Sequence, residues 1–203
     1  LVWLTVSIFP FIWTLWGSFK VKADFFSRAD WTYALSGFNT LIETGATTTF
    51  KAYLESWTEG EFGRATMNTM IVTVSVVSIS LFLGTLGAYA LSRSTFKYTF
   101  YILIIALIFR AMPHITLVSG YLFPFFQLNI WGILPTTIIV LVAINQPFTL
   151  WLLYSFFKTV PKELDESALI DGCSYFQAFR YIIMPVMWPG VVTAGLFSMM
   201  LAY

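Results

Sequence analysis

The chain has 203 residues, of which 58% are hydrophobic and only 10% charged, and its formal net charge is +1. Soluble domains carry about 25% charged residues, and a chain of this length cannot hide so much apolar surface in one core, so the bilayer must act as its solvent. The small net charge points to neither nucleic acid nor an acidic substrate, the single cysteine (Cys173) excludes an internal disulfide, and the single histidine (His114) excludes a two-histidine zinc site.

A membrane-crossing helix needs about 20 mostly apolar residues. Residues 1–19 form the first such segment. Residues 20–66 are hydrophilic and are expected to fold as a small cap with short helices, one of them around residues 51–57. The second apolar segment, residues 67–91, is uncharged, and a tight polar turn at residues 92–98 follows it. The third, residues 99–123, contains Arg110 and His114. Residues 124–133 read as a corner lying in the membrane interface, with Trp131 as an anchor. The fourth segment, residues 134–157, is again uncharged. Residues 158–185 are a polar island, and the fifth segment, residues 186–203, runs to the end. The chain starts at Leu1 and stops at Tyr203, inside apolar runs, so it is expected to be a piece of a longer protein. The pattern predicts one all-α integral membrane domain over residues 1–203 with five spans.

Small residues at every fourth position let helices approach closely in lipid. Ser80, Gly84 and Ala88 do so in the second segment, and Gly190, Ala194, Ser198 and Ala202 in the fifth. Pro113 and Pro147 fall inside segments, where they should kink the helix and free carbonyls. Orientation does not follow from charge. Lys20, Lys22, Arg28, Lys51 and Arg64 lie on one side, and Arg93, Lys97, Lys158, Lys162 and Arg180 on the other.

The island repays closer inspection. Pro161 suits the first turn of a helix over residues 162–170, and Asp171-Gly172 stops it. Ser174, with Gln177 three residues later, makes a capping box for a second short helix, which ends at Pro185. The island thus reads as two short helices meeting at a glycine elbow. Glu163, Asp165 and Glu166 crowd the first helix. The second carries Tyr175, Phe176, Phe179, Ile182 and Ile183 nearly all round and needs cover beyond the membrane bundle. A loop that is only a solvated connection accounts for the acids and the glycine but not for those aromatics.

Glu166-Ser167-Ala168, Gly172, Ile182 and Met184-Pro185 stand at the spacing of the "EAA" loop of ABC-importer permeases, with Ser167 for alanine and Met184 for leucine. Residues 68–96 and 147–172, Met112-Pro113 and residues 9–20 also resemble carbohydrate-importer permeases of the maltose type, the second permease in particular. The resemblance implies an ABC-importer type I transmembrane bundle, with five spans visible of six. It implies that residues 158–185 are cytoplasmic and couple to a separate ATP-binding subunit, present in two copies, and that residues 20–66 are extracytoplasmic. Glu163, Glu166, Ala168, Asp171 and Gly172 are then the coupling residues. Further implied partners are a second, different permease chain, an extracytoplasmic substrate-binding protein and membrane lipid, in a bacterial or archaeal cytoplasmic (inner) membrane. No GxxxxGK[ST] loop occurs in the sequence, so ATP hydrolysis is expected on a partner chain, and neither cofactor nor metal is expected here.

Polar groups inside spans are candidates for a substrate path: Arg110, Asn145, Gln146 and Thr149. Arg110 stands roughly 20 Å along a helix from Lys97, deep in the bilayer, where a charge is costly. A structural pairing of Arg110 is the plainer alternative, and His114 reads as a packing residue. An ion-coupled secondary transporter of a small polar solute is the rival function, but spans two to five carry no Asp or Glu. A membrane enzyme would have to join Cys173 in the loop to His114 in a span, which lie too far apart for proton transfer.

Overall fold

The computed structural model describes residues 2–18, 51–112, 114–130 and 132–203. Most of the hydrophilic stretch, Pro113, Trp131 and the side chain of His114 lie outside the described residues, and with them the expectations placed there. The described residues form helices and no strand. They divide into two compact units, Leu1–Thr66 and Met67–Tyr203.

In the first unit α1 spans Val2–Ser18 and α2 spans Lys51–Thr58. The Tyr53 hydroxyl donates to Ser18 Oγ at 2.6 Å. Apolar Trp3, Phe11 and Leu15 of α1 are exposed, as expected of a surface that faces lipid.

Helix α3 (Phe62–Arg93) begins in the first unit and continues into the second, which also holds α4 (Thr99–Ala111), α5 (His114–Gln127), α6 (Leu134–Thr159), α7 (Glu163–Ile170), α8 (Tyr175–Ala178) and α9 (Met184–Ala202). Two differences from the sequence pattern have local causes. The third apolar segment is not one helix: it breaks between α4 and α5 at Met112, whose backbone is extended (φ −68°, ψ 143°). A residue followed by proline is pushed out of the helical region by the ring. The helix that begins after the capping box does not end at Pro185 either. It runs from Tyr175 to Ala202 without interruption. A π turn over Phe179–Ile183 lets the Met184 N–H reach back to the Phe179 carbonyl just before Pro185, which has no N–H to give. The island's second helix is therefore the foot of the last membrane helix. Pro147, by contrast, sits within a continuous α6.

Among the described residues, three helices are long and apolar enough to cross a membrane: Phe62–Arg93, Leu134–Thr159 and Tyr175–Ala202. Their shared core consists of Ala88, Leu153, Phe157, Val160, Phe179, Ile183, Met187, Val191 and Ala194. Lipid is as apolar as this core, so close packing rather than the hydrophobic effect must hold it together. Gly84 shows how close the approach is. A Cβ there would stand 2.9 Å from Thr149 Cγ2 and 3.2 Å from Leu153 Cδ1. Gly190 meets the Phe156 ring equally closely, with Cγ 2.9 Å from a built Cβ. Gly84→Leu is expected to cost about 1–3 kcal/mol by overpacking. The fall in thermal midpoint of the purified chain measures it; an unchanged midpoint would mean that α3 and α6 are not in contact at Gly84.

Candidate coupling loop and intramembrane polar site

The loop is shaped by two hydrogen-bonded devices in succession. At the end of α7, the Gly172 N–H donates to the Leu169 carbonyl at 3.1 Å and the Cys173 N–H to the Ala168 carbonyl at 3.0 Å. Those two bonds close a helix through a left-handed residue, and Gly172 has φ +87°. Two residues on, the Ser174 backbone N–H donates to Gln177 Oε1 at 2.8 Å, and the Gln177 N–H donates to Ser174 Oγ at 3.4 Å. The capping box starts α8 at a fixed angle to α7.

This elbow sorts the loop residues by face. Glu163, Glu166, Asp171 and Gly172 are exposed, whereas Ala168 is buried where α7 packs against the rest of the loop. Large apolar groups flank the elbow in the open: Ile170 is 86% exposed, Tyr175 73% and Phe176 63%. An acid-edged turn thus carries an uncovered apolar surface at the foot of the last membrane helix, which water alone does not favour.

The inner side of the loop holds a constellation that the sequence pattern did not single out. Asp165 is only 8% exposed. Its Oδ2 forms an ion pair at 2.8 Å with Arg93 Nε from the last residue of α3. Tyr89, one turn earlier on α3, donates its hydroxyl proton to Asp165 Oδ1. Arg93 Nη1 also donates to the Phe157 and Val160 carbonyls at the end of α6, at 3.3 and 3.1 Å. Both carbonyls lie where α6 runs out of intrahelical partners, and the Phe157 carbonyl also accepts the Val160 N–H at 3.3 Å. The Tyr89 ring packs between Phe157 and Phe179, with centroids 5.6 and 4.8 Å away. Arg93 and Asp165 are 72 positions apart, and nothing in local periodicity pairs them.

The intramembrane candidates separate into two environments. Asn145 and Thr149 are fully buried among the helices. The Thr149 and Ser198 hydroxyls lie 3.1 Å apart and tie α6 to α9. The Asn145 amide has no hydrogen-bond partner among the described residues, and neither has Gln146 Oε1. Arg110, near the end of α4, lies over the Phe148 ring of α6, its guanidinium carbon 4.4 Å from the centroid. Its buried Nη1 has no hydrogen-bond partner among the described residues. Arg110 and Gln146 are partly exposed, unlike Asn145 and Thr149.

Residues 77–203 match the family described as "Binding-protein-dependent transport system inner membrane component". The chain belongs to that family. With its three helices of spanning length, it is a multi-pass membrane protein of the all-α importer-bundle type. The family match includes the whole loop and all of α9. Among individual proteins, the chain is 30% identical to the diacetylchitobiose uptake system permease protein NgcG of Streptomyces coelicolor, over 98% of this chain and 62% of that one. It is 32% identical to the trehalose/maltose transport system permease protein MalG of Thermococcus litoralis, over 98% of this chain and 67% of that one. It is 28% identical to the sulfoquinovosyl glycerol transport system permease protein SmoH of Agrobacterium fabrum, over 98% and 66%. The chain thus spans less than two thirds of the length of the first of these family members.

Proposed function

We propose that the chain is a membrane-spanning permease subunit of an ATP-driven importer that carries a sugar or oligosaccharide, and that the loop at residues 158–185 couples it to a separate ATPase. The observation that carries this reading is the uncovered apolar surface of Ile170, Tyr175 and Phe176 beside an elbow built at the family's motif spacing. A surface of that kind outside the bilayer calls for a protein partner. Glu163, Glu166 and Asp171 give the partner charges to read, Gly172 sets the turn, and Ala168 seats α7 on its own chain. The carbohydrate assignment draws on relatives whose names specify chitobiose, trehalose and maltose. The partners are two copies of an ATP-binding subunit, a second permease chain, an extracytoplasmic substrate-binding protein and membrane lipid. The location is a bacterial or archaeal cytoplasmic membrane.

ATP-driven closure of the partner would move the docked loop and, through it, switch the bundle between states open to either side. An ion-coupled carrier would place carboxylates inside its spans, and helices α3 to α6 and α9 contain none. Within the bundle, Arg110 and Gln146 are our candidates to meet a polar solute, while Thr149 bonds α6 to α9 beside them.

Topology tests the assignment. In a Cys173→Ser background, Glu59→Cys and Lys162→Cys are each exposed to a membrane-impermeant thiol reagent on intact cells. Position 59 is expected to label and position 162 only after permeabilisation. The reverse pattern would turn the loop away from any cytoplasmic ATPase and end the proposal.

A further inference from the structure

Asp165 is the one acid of α7 withdrawn from water, and it is withdrawn into a contact with two other helices. Arg93 ends α3, Phe157 and Val160 end α6, and a single guanidinium joins both ends to α7. Tyr89 supplies a second bond to the same carboxylate. The side chains of Arg93 and Asp165 retain only 15% and 11% of their exposure. A buried ion pair is poor at adding net stability, because desolvation consumes most of its attraction. What it does supply is a fixed arrangement: the planar guanidinium meets three acceptors from two helices in directions that one ammonium cannot reproduce.

We propose that Arg93 is a positioning residue for coupling. Through Asp165 it makes α7 a rigid extension of the cytoplasmic ends of α3 and α6, so that a push on the loop moves those two helices directly. Without the tie, α7 would reach the bundle mainly through the elbow and α9. The proposal rests on the importer reading and adds to it the route by which loop displacement enters the bundle. The pair lies on the side of α7 facing its own chain, so it acts through Glu163, Glu166 and the elbow rather than on the ATPase itself.

The test has two arms. The first needs no ATPase: hydrogen exchange of the α7 amides is compared in the wild-type chain, Asp165→Asn and Arg93→Lys in lipid nanodiscs. Both variants keep size and polarity and break the tie, so α7 exchange is expected to quicken by about tenfold, the loss of one hydrogen bond to a charged group. The amides of α6 around Asn145 should stay as they were. Arg93→Lys carries the measurement if Asp165→Asn fails to accumulate. The second arm uses the complete transporter. The number of substrate molecules imported per ATP is expected to fall several-fold in both variants, with the ATP-binding subunit still co-purifying. In a Cys173→Ser background, Arg93→Cys with Asp165→Cys should be poorly coupled until the two thiols are joined by a short bifunctional methanethiosulfonate reagent, and then recover.

Unchanged α7 exchange in Arg93→Lys and Asp165→Asn would overturn the tie. So would a cross-link that stops transport, because α7 would then have to part from α3 in each cycle. A wild-type complex without any ATP-dependent transport would instead remove the importer reading, and the exchange arm would still decide whether the tie exists.

Discussion

Gly172→Leu is expected to leave the chain in the membrane and to disconnect it from ATP hydrolysis. The residue has φ +87°, a conformation that costs an L-residue about 1–2 kcal/mol. Nothing lies within 4 Å of a Cβ built there, so the chain itself raises no steric objection. The strain must be relieved by opening the turn. That would break the bonds from Gly172 to Leu169 and from Cys173 to Ala168, and re-aim α8 with its exposed aromatics. A penalty of this size on the docking geometry corresponds to about tenfold in affinity for the ATP-binding subunit. A leucine side chain projecting from the exposed elbow adds to it by colliding with any closely fitted partner. Gly172→Asn, which tolerates the left-handed region, is expected to fall between wild type and leucine. The readouts are chain abundance in the membrane, co-purified ATPase and substrate-stimulated hydrolysis. Full assembly and full stimulation in Gly172→Leu would show that the elbow is not at the contact.

Arg110→Met is expected to reduce transport by about tenfold or more while the complex still assembles. Arg110 stands near the end of a short apolar helix, and a charge held at the bilayer centre costs about 3 kcal/mol or more. Stacking on Phe148 returns up to about 2 kcal/mol when desolvated, and Nη1 is left without a partner among the described residues. We propose that Arg110 meets a group outside its own chain. On that proposal a solute hydroxyl or path water would satisfy it, because guanidinium N–H groups donate readily to hydroxyl oxygen. Methionine keeps the length and the contact with the ring but donates nothing. The thermal midpoint of the chain should hold or rise, since the variant removes a partly buried charge whose Nη1 has no partner among the described residues. If the second permease no longer co-purifies, Arg110 belongs to a subunit contact. Unchanged transport with normal assembly would exclude both roles.

How far the sequence could be read depended on whether each feature was local. The capping box at Ser174 and the helix stop at Gly172 are encoded within a few residues, and both are present as hydrogen-bonded motifs. The break at Met112 was half legible: Pro113 announced a disturbance, but not that the segment would divide into α4 and α5. Pro185 misled in the opposite direction, because a π turn upstream absorbs a proline without ending the helix, and five residues of unremarkable composition do not announce one. Arg93 and Asp165 looked like ordinary polar groups in two different loops. Their pairing depends on how α3 and α6 end side by side, a tertiary fact without a periodic signature. For Asn145 and Thr149, polarity within a span was visible, but the direction in which each side chain faces was not. Burial places both among the packed helices, and Thr149 lies against Ser198.

The central claim is that the elbow between α7 and α8 docks on a cytoplasmic ATP-binding subunit. A photo-reactive phenylalanine analogue placed at Phe176 tests it most directly, since that side chain is exposed beside the turn. The complex is illuminated in native membranes and the adduct is identified by mass spectrometry. One dominant cross-link to an ATP-binding subunit is expected, with a yield that changes when ATP is added. A cross-link only to lipid or to an extracytoplasmic protein, with none to an ATPase, would contradict it.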